Sequence, residues 1–336
     1  MTVLRPPPSK RPAVPLTAVL VAALVLAVAL SVAVGARPVP PDAVWRALWH
    51  DDGSVEAGLV RDLRVPRTAL ALAVGAGLAV SGSLLQAVTG NPLADPGLLG
   101  VTSGAALGVV TALAAAGVTT ASGQVWFALA GALAATAVVM ALGGRAGSVQ
   151  RQVLAGVAVT AAGSAAVSAI ATARPQVLDR FRFWNVGSLA ERGLGDLGQV
   201  LPFLLVGLVL ALALGPALNA MALGDAGARG LGVPVVAVRL AALLAVALLC
   251  AGATSLAGPL SVLGLAVPHA VRALAGADRR RELLGCLLAG PAVLLVTDVI
   301  GRVASPPGEL QVGVVTAAVG APVFLALVAR RRVAVR

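Results

Sequence analysis

Residues 91–101 read NPLADPGLLGV, and they interrupt a chain that is apolar and almost uncharged on both sides of them. Two prolines, an asparagine and an aspartate all work against a continuous helix. Proline lacks the amide donor and pushes the residue before it out of the helical region. Non-helical backbone at membrane depth persists only where protein or a water-filled cavity covers it. The stretch therefore predicts a break between two half-buried helices that line a path, with an ordinary turn outside the membrane as the alternative. Asp95 is placed to cap a helix that begins at Pro96.

Working outward, composition fixes the class. Of 336 residues 59% are hydrophobic and 12% charged, and the mean hydropathy is +0.96. Soluble domains are closer to half apolar and a quarter charged, so this is an integral membrane protein. A net charge of +11 raises nucleic acid as a partner, but the basic residues are scattered between apolar runs and tyrosine is absent. No basic, aromatic surface can form from them, so nucleic acid is excluded and membrane lipid is expected instead.

Uncharged runs lie at 12–36, 68–94, 96–144, 152–173, 197–224, 240–271 and 310–329, and an eighth apolar run at 283–300 tolerates Asp298 near one end. At about 20 residues per span, the third run needs two helices, and the sixth holds two if Gly258-Pro259 breaks it. The expectation is an all-α polytopic membrane protein of about ten transmembrane helices, in one domain at 12–329 between tails at 1–11 and 330–336. The runs do not alternate polar and apolar residues, which excludes a strand barrel. The first run is longer than the roughly 7–15 residues of a signal segment, so it is expected to be retained as a span. With ten spans, the segments on the side of the N-terminus hold 15 of the 25 basic residues and four of the 14 acidic ones. That asymmetry places both termini in the cytoplasm.

Enzymatic readings find little support. The single lysine, Lys10, sits in a proline-rich tail, so a phosphate-binding loop of the P-loop type is missing and ATP-driven work falls to another subunit. His50 and His269 have no partner at ligand spacing, and no metal site is expected. Cys250 and Cys286 fall in predicted spans as small apolar residues. Glycine, at 39 residues, and abundant alanine suit close helix packing, because small side chains let backbones approach in lipid. Residues 216–233, PALNAMALGDAGARGLGV, are either the frayed end of a span or two short amphipathic helices joined at Gly224. In the second reading Leu218, Met221 and Leu223 share one helix and Ala228 and Leu231 the next. Asp298 is placed to pair with Arg302 one turn later. A gradient-driven secondary transporter is the alternative, with Asp298 and Asp95 as its ion or proton sites. A faint echo between AVSGSLLQ and residues 251–265 is of the kind that inverted repeats produce.

Five segments, in order and in register, carry a resemblance: RVPRTALALAVGAGLAVSGSLLQAVTGNPLADPGLLGVTSGAALG, WNVGSL, LNAMALGDAGARGLGV, AGPLSVLGLAVPHAVRALAGADRRR and GELQVGVVTAAVGAPVF. From about residue 60 to 332 the chain resembles the FecCD/BtuC-type permeases of ABC importers for iron-siderophores, haem and vitamin B12. It departs from the family pattern in GPLSVLG at 258–264, in Arg272-Ala273 and in GELQVG at 308–313, which touch substrate details. The resemblance implies the type II ABC importer permease fold, a permease homodimer or heterodimer, two cytoplasmic ATPase subunits that hold ATP and Mg, and an extracytoplasmic substrate-binding lipoprotein. It implies ferric siderophore cargo moved by alternating access, no cofactor in this chain, no catalysis by the chain itself, and the bacterial cytoplasmic (inner) membrane. Residue by residue, it implies that Asn91, Pro92 and Leu93 form a translocation gate. Leu218, Leu223, Gly224, Ala228, Leu231 and Gly232 would couple to the ATPase, and Arg64, Arg67 and Arg302 would grip acidic residues of the binding protein.

Overall fold

Long uncharged runs fold as helices because membrane depth offers no water to backbone polar groups, and a helix satisfies them within one segment. The structure is a computed structural model that describes residues 16–50, 52–143, 149–190, 192–260, 262–305 and 308–333. In chain order it runs α1 (Leu16–Ala33), α2 (Pro41–Trp49) and α3 (Val55–Gly58), then through a π-helical turn at Leu59–Arg64 into α4 (Val65–Thr89). A 3₁₀ turn at Pro96–Leu99 leads to α5 (Val101–Ala114), α6 (Ala121–Gly143), α7 (Val149–Ala173), α8 (Pro175–Val186) and α9 (Leu194–Ala213). The short α10 (Gly215–Met221) and α11 (Gly224–Gly230) precede α12 (Val235–Ala257), α13 (Leu263–Ala275), α14 (Arg279–Val303) and α15 (Val312–Val333). No strand occurs among the described residues.

Each of the ten expected spans has its helix: α1, α4 to α7, α9 and α12 to α15. Seven are long and apolar enough to cross a membrane, and α5, α13 and Val312–Pro322 of α15 are shorter apolar helices. The 240–271 run divides where expected, since α12 ends at Ala257 and Gly258 turns the chain with φ +71°. Boundaries shift elsewhere. The run at 197–224 ends as a span at Ala213, and Gly215 starts a separate short helix. Residues 330–333, expected in a tail, continue α15. The expected tail at 1–11, the start of the first span and residues 334–336 lie outside the described residues. Sequence reading gave no helix at α2 or α8, because Asp42 and Arg46, and Asp179, Arg180 and Arg182, interrupt their apolar residues.

α4 is the central element. Within its apolar stretch 83% of residues are buried, against 11% for α1. It runs antiparallel to α14, as three contacts show: Arg67 meets Asp298 near one end, Gly75 meets Gly290-Pro291 midway, and Ser83 meets Glu282 near the other. The middle contact needs glycine, since a methyl at Gly75 would stand 2.7 Å from the Pro291 Cα. Gly82 likewise lies against the carbonyl of Gly264 at the start of α13, and Gly104 against that of Gly131 between α5 and α6. Small residues thus set the helix spacing, as expected of close packing in lipid. Cys250 and Cys286 are buried and unpaired, and no group of three or more metal-ligating side chains occurs among the described residues.

Candidate functional site

α4 stops at Thr89 because Gly90 adopts φ +63°, a left-handed geometry that costs glycine little. Side chains then take over from the lost helical hydrogen bonds. Thr89 Oγ1 accepts the Asn91 amide at 3.3 Å, and Asn91 Oδ1 accepts the Leu93 amide at 2.9 Å. This local turn is what asparagine supplies at a chain reversal. Asp95 Oδ1 accepts the Gly97 amide at 2.8 Å and caps the 3₁₀ turn that begins at Pro96, as the sequence predicts. Asn91, Pro92 and Leu93 are exposed, while Ala94 turns inward. An apolar Leu93 therefore projects from the end of the bundle on a rigid, side-chain-braced turn.

Residues 216–233 form two short helices, α10 and α11, rather than the frayed end of a span. Gly224 (φ +86°) and Gly232 (φ +79°) make the turns that bound α11. The leucines and alanine among the six residues expected to couple divide between two faces. Leu223 and Leu231 are 69% and 65% exposed, whereas Leu218 and Ala228 are buried against the chain's own core. The burial corrects the expectation for Leu218 and Ala228: they hold the two helices down and are not surface for a partner. Asn219 ties α10 to the start of α14, donating to Asp278 Oδ1 at 3.0 Å and accepting the Arg279 amide at 2.7 Å. Hydrogen bonds to Asp278, that from Asn219 first, hold its carboxyl below the usual carboxylate range. The tie places 216–233 at the same end of α14 as Glu282, which is also the end of α4 that leads into Asn91, Pro92 and Leu93.

Arg64, Arg67 and Arg302 lie at the opposite end, where Arg67 and Arg302 hold Asp298, which is fully buried. Arg67 Nη2 reaches Asp298 Oδ1 at 2.7 Å and its Nη1 reaches Glu309 Oε2 at 2.6 Å. Arg302 Nε donates to Asp298 Oδ2 at 2.9 Å, so the predicted pairing one turn apart is present. The same guanidinium donates to the Ser31 carbonyl at 2.7 Å, and Arg64 donates to the carbonyls of Val32, Ala33 and Arg37 at 3.0, 2.7 and 2.6 Å. Carbonyls at a helix C-terminus have no partner within the helix and carry partial negative charge, so two arginines cap α1. Arg64 and Arg302 are thus corrected from surface residues to internal ones, since their donors are committed and both are buried. Arg67 keeps a side chain 12% exposed and lines a cavity of about 520 Å³ with Arg180, Trp184, Arg192, Glu309 and Gln311.

A second buried carboxylate escaped the sequence reading. Glu282, fully buried, accepts from Arg272 Nε at 3.0 Å, Arg279 Nη1 at 2.7 Å and Ser83 Oγ at 2.9 Å. Arg272 Nη2 also donates to Gln86 Oε1 at 3.0 Å. The local signal was available: Glu282 follows three arginines and stands three residues after Arg279, within reach on one helix face. Its link to Ser83, and through Arg272 to Gln86, both far off in sequence, carried none.

With this geometry in place, the chain can be set beside known proteins. The model of the FecCD transport family matches residues 23–330. The chain belongs to the FecCD transport family. Among its relatives, the ferric enterobactin transport system permease protein FepD of Escherichia coli is 44% identical over 89% of this chain and 90% of its own length. The vitamin B12 import system permease protein BtuC of Yersinia enterocolitica is 38% identical over 85% and 86%, and the hemin transport system permease protein HmuU of Yersinia pestis is 36% identical over 85% of each. A solved metal-chelate type ABC transporter in an inward-facing conformation superposes with a TM-score of 0.84 and 28% identity, over 94% of this chain and 98% of that one. As a FecCD protein the chain is an integral membrane permease. Asp298 is the centre of an ion-pair cluster with Arg67 and Arg302, and membership of the FecCD family speaks against the gradient-driven alternative that used Asp298 and Asp95.

Proposed function

We propose that the chain is the membrane-spanning subunit of an ATP-driven importer that moves ferric siderophores from an external binding protein to the cytoplasm. It works as a homodimer or heterodimer with two cytoplasmic ATPases, in the bacterial inner membrane with both termini in the cytoplasm. The FepD relative is named for a ferric siderophore, which favours that cargo over haem or vitamin B12. The observation that carries the reading is spatial. The side-chain-braced break at Asn91, Pro92 and Leu93 and the two exposed leucines of 216–233 occupy one end of the bundle, and Arg67 with its cavity occupies the other.

Asn91, Pro92 and Leu93 act as the inner gate, Leu223 and Leu231 seat the ATPase across the turn at Gly224 and Gly232, and Arg67 meets the binding protein. A planar guanidinium suits that last task, and such exposed pairs steer association more than they add affinity. The test is Gly224→Val in the reconstituted complex. A β-branched residue resists φ +86°, at a cost of about 1–2 kcal/mol, so the permease folds, but ligand-stimulated ATP hydrolysis and uptake are lost. Normal uptake in this variant would remove the coupling role of 216–233. Arg67→Glu slows docking of the binding protein and abolishes uptake with the permease–ATPase core intact; association insensitive to this reversal and to salt would sink the docking role.

A further inference from the structure

α10, which opens the segment assigned to ATPase coupling, packs on both α14 and α4, and a series of polar contacts, part-buried at its outer end and buried at Glu282, runs from it to the last turns of α4 before the gate. It starts on α10, where Asn219 holds both Asp278 and the Arg279 amide. α10 is also pressed against α14 directly, because a methyl at Gly215 would meet Arg280 Cγ at 2.8 Å. Arg279 passes the connection to Glu282 at 2.7 Å, and Glu282 passes it to α4 through Ser83 at 2.9 Å. A parallel branch runs from Glu282 through Arg272 to Gln86 at 3.0 Å. From Gln86 the last turn of α4 leads to Thr89, whose hydroxyl accepts the Asn91 amide. Ser83, Gln86 and Glu282 are all buried.

We infer that this chain of contacts, from Asn219 through Glu282 to Ser83 and Gln86, is the relay by which movement of the coupling helices displaces the end of α4 and hence the gate. The inference rests on the proposed importer function, and it makes Glu282, Ser83 and Gln86 positioning residues that touch neither cargo nor ATPase. Physical features favour transmission. Bidentate and charge-assisted hydrogen bonds resist stretching more than neutral ones do, and at low dielectric each partner left alone is costly, so the groups move together. Glu282 is bonded from α4, α13 and α14 at once, so α14 cannot shift at this end without carrying α4.

The experiment uses the full permease assembled with its ATPases in lipid vesicles. Leu93→Cys is introduced, and the rate at which its thiol reacts with a charged, membrane-impermeant maleimide is measured with and without Mg-ATP; the native Cys250 and Cys286, both buried, give the background. Glu282→Gln risks leaving two arginines unpaired, so the relay is cut more gently, by Ser83→Ala with Gln86→Ala at one end and by Asn219→Ala at the other. The expected result is that Mg-ATP alters labelling of the introduced thiol in the parent and that either cut reduces this response at least about fivefold, while ATP hydrolysis continues. Ser83→Thr, which keeps the hydroxyl, retains the response. A full response in both cut variants overturns the relay, even if their thermal stability falls, because the contacts would then serve folding alone. A parent that shows no nucleotide response overturns the importer reading itself and the relay with it.

Discussion

α14 carries a fully buried carboxylate near each end, Asp298 and Glu282, and each is held by two arginines. The likeness stops there. Around Asp298 the arginines spend their remaining donors on carbonyls at the end of α1, on the Ser31 hydroxyl and on Glu309, so the charged side chains tie the end of α1 to α4 and α14. Around Glu282 the remaining bonds go to side chains of α4, and the cluster continues through Asn219 to a pair of short exposed helices. One cluster welds three helices into a plate, and the other connects a loop to a helix end. The same chemistry ends on the carbonyls of α1 in one cluster and on a loop-facing helix pair in the other, and the relay inferred above turns on that difference.

The most damaging way to probe that contrast is Asp298→Asn. It leaves Arg67 and Arg302 without their buried counter-charge, and removing one partner of such a pair costs about 3–5 kcal/mol. A large fall in the unfolding temperature of the detergent-solubilised protein is expected. Glu282→Gln should cost less, about 1–3 kcal/mol, because Arg272 and Arg279 keep 14% and 19% exposure and can turn toward water. Equal losses in the two melts would break the comparison. Ser31→Ala sharpens it: the hydroxyl bonds Thr68 at 2.7 Å and Arg302 at 3.2 Å, and its loss should cost about 1 kcal/mol without altering coupled ATP hydrolysis. Leu223→Ala lies at the small end. On an exposed surface it should shift stability by no more than about 0.5 kcal/mol and yet reduce ATPase binding in a pull-down. Unchanged binding would leave Leu223 as a bystander.

The reading of the sequence went furthest where the signal was local. Helix breakers at Pro92 and Pro96, the cap at Asp95, the turn at Gly258-Pro259 and the pairing of Asp298 with Arg302 all depend on residues within a turn of each other, and each is present. The ten apolar segments were legible because lipid leaves a spanning chain few alternatives. Partners distant in sequence were not legible. Nothing in RVPR says that Arg64 folds back onto Val32 and Ala33 while Arg67, three residues later, reaches Asp298. Reading both as arginines that grip a binding protein missed that the π-helical turn at Leu59–Arg64 carries Arg64 inward. The 216–233 segment shows the same limit: two short helices were one of its two readings, but the inward aim of Leu218 and Ala228 depends on what α10 and α11 rest upon.

The contact of Gly75 with Gly290-Pro291 gives α4 a mechanical character of its own. Held at Arg67 and wedged at Gly75, the helix has a far arm that begins at the glycine and stays packed among its neighbours as far as Gln86. At about 1.5 Å of rise per residue, Ser83 stands about 12 Å along that arm and Thr89 about 21 Å along it. A stiff arm that swings about its root magnifies displacement in proportion to distance, so a push of about 1 Å at Ser83 arrives at Thr89 as about 1.8 Å. Gly82, seated on the Gly264 carbonyl, makes the start of α13 travel with the arm. Under the relay inferred above, the helix would gear up a small input from the loop side and deliver it at the tip that bears Asn91, Pro92 and Leu93.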